Sequence, residues 1–345
     1  MTQNNISEPT ELFTERDLRQ LQPRRGSVVQ RWQDYIICLL PLLSGFLAIL
    51  EYIAVPNLAG NESTSAYLCL LLFLLLLLSL TLIIAINHPG LFAVLRYKSP
   101  FYTFIFLLLI VWDYLTLKTG TLLLPYFPWV DQILVACIDD RAYLTECALN
   151  SLILLFSGYL AGTLSGLLTG VACGYSKRVN YWIAPFMRLL GAIPSTTWIP
   201  VVMVLAASLF KGSVFIIALG VWFSVTLATI TGITHIEKAY FQAAKTLGAT
   251  EPQLIFRVAI PFALPAIFQG LTQGMSSACT ALMVAEMIGV ESGLGWYISW
   301  QKSWAQYGKM YAAIILICII FILVNYALSR LRRYVLRWQD GVIRN

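Results

Sequence analysis

Charge is what this chain has least of. Lysine, arginine, aspartate and glutamate make up 12% of its 345 residues, against 59% hydrophobic, where roughly a quarter charged is ordinary for a soluble domain. With a mean hydropathy of +0.75, that balance excludes a soluble globular protein. A large soluble core can be rich in Leu and Ile, but it does not supply several runs of about 20 residues nearly free of charge. Cysteine pairs with the right spacing are also missing. Cys38, Cys69, Cys137, Cys147, Cys173, Cys279 and Cys318 form no CxxC and no Cys/His cluster, so they read as small apolar fillers rather than disulfide or metal ligands. No GxxxxGK[ST] occurs, which excludes a Walker A phosphate cradle on this chain. The net charge of +6 is spread along the sequence and builds no basic groove interleaved with aromatics, which argues against a nucleic-acid partner. The first 33 residues are polar with mixed acidic and basic residues, not the pattern of a cleavable signal peptide.

What is present is a series of apolar runs, at about 34–56, 66–87, 101–118, 146–170, 183–208, 212–232, 262–286 and 308–329. The expected fold is therefore an all-α polytopic membrane protein of about eight transmembrane helices. Asp113 interrupts the third run, which leaves a kinked or tilted segment as an alternative to a straight helix there. Alternation of the loops across the bilayer tests the count. Arg16, Arg19, Arg24, Arg25 and Arg31 precede the first span. Arg96 and Lys98 follow the second, Lys177 and Arg178 the fourth, and Lys238, Lys245 and Arg257 the sixth; Arg330, Arg332, Arg333, Arg337 and Arg344 end the chain. All fall on one side, which is expected to be the cytoplasm, and the opposite loops receive only Lys118, Arg141, Lys211, Lys302 and Lys309. Both termini are then cytoplasmic.

The longest cytoplasmic loop between spans, 233–261, carries a short amphipathic helix expected from Glu237 to Leu247. Tyr240, Ala244 and Leu247 share one face, and Lys238, Gln242 and Lys245 lie largely on another. Gly248 is expected to end it in the left-handed conformation. A second helix is expected to start at Thr250, with Pro252 in its first turn, although Leu254, Phe256 and Val258 fit no single stripe. An interfacial helix resting on lipid headgroups is the plain alternative. The small residues Ala243, Ala244, Gly248 and Ala249 suit a protein groove better.

The loop resembles the "EAA" loop of binding-protein-dependent ABC importer permeases, whose pattern is EAA, three residues, G, nine residues, then I, one residue, L, P. Here Gln242, Ala243 and Ala244 are followed by Gly248, then Val258, Ile260 and Pro261 at matching intervals. Gln242 stands where the family commonly has glutamate. "MVAEMIGVESGLGWYI" from Met283 and "MRLLGAIPSTTWIPVVMV" from Met187 are similar to segments of the nitrate, sulfonate, taurine and bicarbonate permeases. The resemblance covers about residues 101–337.

It implies a six-span type I importer permease core over 101–337, preceded by a cytoplasmic tail (1–33) and two extra spans (34–100) and followed by a tail (338–345). It implies alternating-access uptake of a small polar solute, an oxyanion or organosulfonate, and no enzymatic activity of this chain. No cofactor is expected on the chain, with ATP and Mg on a partner. The implied partners are a cytoplasmic ABC ATPase dimer, a second permease subunit in a homodimer, and a periplasmic or lipid-anchored solute-binding protein, in a bacterial inner membrane. Gln242, Ala243, Ala244, Leu247, Gly248, Ala249, Arg257 and Pro261 would then couple to the ATPase.

The passage across the membrane is sought in "GAIPSTTWIP", where Pro194 and Pro200 should kink or break the helix. Pro194, Ser195, Thr196, Thr197, Trp198 and Met283 are the candidate path, because a broken helix with hydroxyls and freed backbone groups suits a polar solute. Local repair of those carbonyls by the hydroxyls is the plain alternative. Glu286, near the outer end of the seventh span, is read as a structural or docking charge. Glu51, Asp113 and Arg188 are read as bundle-internal pairs with unnamed partners. Gly158, Gly162, Gly166, Gly170 and Gly174 draw a stripe that demands close helix crossing, within the subunit in preference to a homodimer seam. "ESGLGWYISWQKSWAQYG" is expected to lie at headgroup depth. An ion- or proton-coupled secondary transporter, or a non-transporting scaffold or receptor, are the alternative functions; the first lacks a convincing inverted repeat and the second leaves the loop spacing without a use.

Overall fold

A computed structural model describes residues 28–61 and 63–340; the rest of the N-terminal tail (1–27) and Arg344 lie outside the described residues. All regular structure among the described residues is helical. Seven helices are long and apolar enough to cross a membrane, and the bent pair Lys177–Gly191 with Ser195–Leu205 makes an eighth when taken as one span. The chain is an all-α, multi-pass membrane protein. It divides into two compact units, one ending at Ile138 and one starting at Asp139.

The first unit contains α1 (Val28–Ala54), α2 (Ala66–Asn87), α3 (Pro89–Asp113) and α4 (Val130–Asp139). Ala48, Tyr67, Leu71 and Phe106 form its buried core. The third helix starts at Pro89 instead of at 101. Proline is tolerated in a first turn, where its missing N–H is not needed, and the helix runs on through Arg96, Lys98 and Pro100. Directly after Asp113 the chain widens into a π turn, Tyr114–Lys118, so the irregularity expected around Asp113 is a change of helical winding. The 101–118 run, grouped in the sequence reading with the core, falls in this unit with the two N-terminal helices.

The second unit comprises α5 (Arg141–Tyr175), α6 (Lys177–Ala192), α7 (Ile199–Leu205), α8 (Leu209–Thr234), α9 (Lys238–Thr246), α10 (Ile260–Gly289), α11 (Leu294–Ser303), α12 (Tyr307–Val335) and α13 (Arg337–Asp340). Its centre is the packing of α8 between α5 and α10. The glycine stripe of α5 meets a second stripe with the same four-residue repeat: Ile217, Val221, Val225, Thr229 and Ile233 of α8. A Cβ added at Gly158, Gly162, Gly166, Gly170 or Gly174 would stand 2.5–2.9 Å from the nearest atom of that helix. Small residues facing β-branched ones let the two backbones close together, which is how helices gain packing energy in lipid. Hydroxyls bridge the seam, with Thr169 and Thr226 2.9 Å apart and Thr226 donating to the Gly166 carbonyl at 3.3 Å. Leu155, Ile216, Val221, Ala278 and Leu282 complete a fully buried centre.

Candidate functional site

The loop between α8 and α10 is short, exposed and well tied. Helix α9 runs over Lys238–Thr246, one residue shorter at each end than expected. Gly248 closes it with a φ of +82°, and no atom lies within 4 Å of a Cβ built there. Backbone conformation, and not space, therefore demands glycine. The Ala249 N–H returns to the Ala244 carbonyl at 3.0 Å, and the Gly248 N–H to that of Lys245 at 2.9 Å. The next turn, Glu251–Gln253, opens with the Thr250 N–H donating to Gln253 Oε1 at 2.9 Å. Leu254–Ala259 is then π-helical, which explains why Leu254, Phe256 and Val258 match no α-helical stripe. Pro261 sits in the first turn of α10.

The anchoring is local. The Tyr175 hydroxyl donates to Glu251, and Lys245 lies 3.2 Å from the same carboxylate. Phe241 packs against the buried Ile233, Ile236, Ala259, Ala263 and Ile267. Three large apolar side chains remain outward among exposed polar ones: Leu247 is 88% exposed, with Tyr240 and Phe256 also exposed. Gln242, Ala243 and Arg257 are exposed beside them, and Ala244 and Ala249 half-buried.

At the second candidate region the chain breaks between α6 and the 3-10 turn Ser195–Trp198, with an 88° bend. Pro194 is extended at φ −55° and ψ 139°, as expected where proline lacks a donor. The Thr197 N–H reaches the Pro194 carbonyl at 3.0 Å. Ser195 faces Gly220 of α8, and so does Ser277 of α10: the two hydroxyl oxygens lie 2.9 and 2.6 Å from where a Gly220 Cβ would stand. Ser277 escaped the sequence reading, and its only signal there was a Ser276–Ser277 pair inside an apolar span. Trp198 packs against the central core, and its buried Nε1 has no hydrogen-bond partner. Met283 packs elsewhere, against the cluster around Leu144, Tyr297 and Ile298.

Glu286 is 1% exposed, and its Oε2 accepts the Gly295 N–H at 2.7 Å. The neighbouring Leu294 N–H donates to Ser151 Oγ at 2.8 Å. Two amides at the start of α11 that no helical turn can satisfy thus find a carboxylate and a hydroxyl. Gly293, at φ +124°, has room for no side chain, since its Cβ would fall 2.5 Å from the Glu286 carboxyl. One face of α11 is buried against the protein, with Leu294 and Tyr297 at 0% exposure, while Trp300 and Trp304 are exposed. The Tyr297 hydroxyl donates to Asp140 at 2.6 Å, and Lys309 donates to the same carboxylate at 3.1 Å. Burial alone would raise the Asp140 carboxyl, but the Tyr297 and Lys309 hydrogen bonds and the Lys309 charge hold it below the usual carboxylate range. A cavity of about 340 Å³ opens beside Glu286, lined also by Leu209, Glu291, Trp296, Ser299 and Trp300. Arg188 is exposed, not paired inside a bundle.

A multi-pass membrane protein with a tightly sewn helical seam, a broken span and an exposed loop carrying large apolar side chains is the class these features define. The family of binding-protein-dependent transport system inner membrane components matches residues 162–340, and the chain belongs to that family. An ABC transporter permease protein of Methanocaldococcus jannaschii is 26% identical over 164 residues, 46% of this chain and 61% of that protein. An aliphatic-sulfonate transport permease of Bacillus subtilis is 31% identical over 31% of this chain and 39% of its own length. A nitrate import permease of Synechococcus elongatus is 25% identical over 31% of this chain and 39% of its own length. The chain thus spans less than two thirds of the length of these relatives.

Proposed function

We propose that this chain is the membrane-spanning permease subunit of an ABC importer, taking up a small oxyanion or organosulfonate by alternating access. The observation that carries the reading is the loop from Lys238 to Pro261. It exposes Tyr240, Leu247 and Phe256 to the outside while Tyr175, Glu251 and Phe241 hold it to the span behind. Isolated apolar side chains on a rigid, small-residue loop suit insertion into a groove of another protein. A separate ATPase dimer, carrying ATP and Mg, fits that groove; a second copy of this chain and an external solute-binding protein complete the assembly. Both termini and this loop face the cytoplasm in this reading, and Arg330, Arg332 and Arg333 at the end of α12 favour that orientation. Residues 101–337 form the six-span core, with two further spans before it.

Ser195, Ser277 and the freed backbone at Pro194 line the solute's path beside Gly220, and Glu286 serves as the cap that fixes α11. The sulfonate and nitrate relatives favour an anionic cargo, and hydroxyls with backbone amides are the groups that handle a small oxyanion without a buried counter-charge.

The test is reconstitution of the whole complex in proteoliposomes. Leu247→Glu is expected to abolish both substrate-stimulated ATP hydrolysis and uptake of labelled sulfonate or nitrate, with the permease still inserted and folded. Unchanged uptake by that variant would remove the loop from the mechanism.

A further inference from the structure

Where α8, α10 and the break after Pro194 meet, one glycine differs from its neighbours in what surrounds it. Gly220 is buried inside α8. A Cβ built there falls 2.6 Å from Ser277 Oγ of α10 and 2.9 Å from Ser195 Oγ of the 3-10 turn. Oxygens 2.6 and 2.9 Å from one point lie at most about 5.5 Å apart. Three segments thus bring two hydroxyls to one place.

Packing does not ask for glycine at this position. At Gly162 and Gly270 a Cβ would meet helix backbone, the Ala218 carbonyl at 2.5 Å and the Ser224 carbonyl at 3.0 Å, which cannot turn aside. At Gly220 the two nearest obstacles are oxygens at the ends of serine side chains, and each swings away by rotation about a single bond. Alanine would fit at the cost of those rotations, and inside a helix it is more favourable than glycine. What the missing side chain leaves undisturbed is the placement of the two hydroxyls.

Neither hydroxyl is spent on the helices. Thr272, Ser276 and Thr280 of α10 each donate to the carbonyl four residues back, at 2.9, 3.5 and 3.1 Å. Ser224 and Thr229 of α8 do the same, at 3.2 and 2.7 Å. Such back-bonding is the ordinary fate of a hydroxyl in an apolar span. Ser277, directly after Ser276, and Ser195 make no hydrogen bond through their hydroxyls with any described residue. Both are half-buried, so their donors are open to whatever enters between the three segments.

Taking the chain as an oxyanion importer, as read above, we propose that Ser195 and Ser277 are a two-hydroxyl clamp for a single oxyanion group and that Gly220 is the residue that sets its room. A hydroxyl donates to an anionic oxygen at about 2.5–2.7 Å, so two hydroxyls within about 5.5 Å of each other both reach one nitrate or sulfonate group. The clamp carries no charge of its own. It holds the anion by two donors supplied from opposite sides of the break in the chain, α10 and the 3-10 turn, and any movement between those segments opens it.

The experiment measures uptake of labelled nitrate and labelled methanesulfonate by the whole complex in proteoliposomes, with the binding protein saturated so that the rate reports the membrane step. Ser195→Ala and Ser277→Ala are each expected to lower uptake about tenfold, the loss of one hydrogen bond to a charged group. Gly220→Ala is expected to lower it by about tenfold or more, as one added carbon in a fitted site does, with a melting temperature no lower than that of the unaltered chain. The double variant Gly220→Ala with Ser277→Ala separates contact from packing. It removes the oxygen nearest the new Cβ, so a packing role predicts recovery of uptake and the clamp predicts none. Recovery in the double variant would overturn the clamp, as would unaltered uptake in either serine variant or in Gly220→Ala. Uptake of neither anion by the unaltered complex would overturn the oxyanion reading itself, and the clamp with it.

Discussion

Five glycines of α5 and the single glycine at 248 occupy the same unit and are required for opposite reasons. Along α5 each glycine has ordinary helical backbone, and what forbids a side chain is the neighbouring helix, 2.5–2.9 Å from any Cβ. At Gly248 the space is empty and what forbids a side chain is a φ of +82°. The seam is a region where volume is specified and the conformation is free to be common. The loop is a region where conformation is specified and volume is open. A part that must stay closed is built in the first way, and a part left available to a partner in the second.

Substitutions can break this contrast. The largest effect is expected from Gly162→Leu, which would drive a branched side chain into the Ala218 carbonyl and Val221. Loss of the folded protein is the outcome, read as absence of a monodisperse peak after extraction. Gly158→Ala is milder, costing about 1–3 kcal/mol, and Ile217→Ala, which removes the Cγ2 2.5 Å from the new Cβ but keeps the Ile217 Cβ at 2.6 Å, should restore part of that. A double-mutant cycle by thermal unfolding checks it, and strict additivity would deny the contact. At Gly248 the order of substitutions should follow backbone preference: Gly248→Asn is tolerated better than Gly248→Val, because asparagine visits the left-handed region and β-branched residues do not. Global stability changes by about 1 kcal/mol or less with Asn, while coupling of ATP hydrolysis to uptake falls further with bulk.

Smaller effects sharpen the edges. The Asp140 carboxyl, held low by Tyr297 and Lys309, contributes stability that is present above its unfolded value, about 3.9, and is lost as pH falls through the lower folded value. Asp140→Asn should cost about 1 kcal/mol near neutral pH and abolish that acid-side loss, as seen in melting curves across pH. At the loop, Lys245→Ala removes a solvent-exposed ion pair with Glu251 and should change stability by less than about 0.5 kcal/mol. A larger change there would mean that the loop is held more rigidly than its exposure suggests.

The spans, the break at Pro194 and the left-handed turn at Gly248 were legible because each rests on a local rule: apolar length, a missing donor, a glycine after the last amphipathic residue. The glycine stripe was legible for the same reason, while its partner was not. Ile217, Val221, Val225, Thr229 and Ile233 also recur every four residues, but β-branched residues are ordinary in an apolar span and carry no mark of what they face. Glu286 was visible as a charge in the wrong place. Its partner, the Gly295 N–H, depended on a reversal through Gly293 that returns α11 to α10. The aromatic richness of 291–308 did not show which rings face inward: Tyr297 is buried with its hydroxyl met by Asp140, while Trp300 and Trp304 stay exposed.

From Glu251 to Gly289 the helix is continuous over 39 residues, which at 1.5 Å per residue is a rod of about 58 Å. One end begins within a residue of Thr250; the other carries Glu286, three residues from its tip. In the proposed function, a displacement imposed beside Gly248 would reach the α11 cap without crossing a loop. The π turn at Leu254–Ala259 and Pro265 interrupt the rod's regular winding, both near the loop end. In that proposal the rod would act as a lever, with its irregular turns at the loop end and the Gly295 to Glu286 hydrogen bond at its far end.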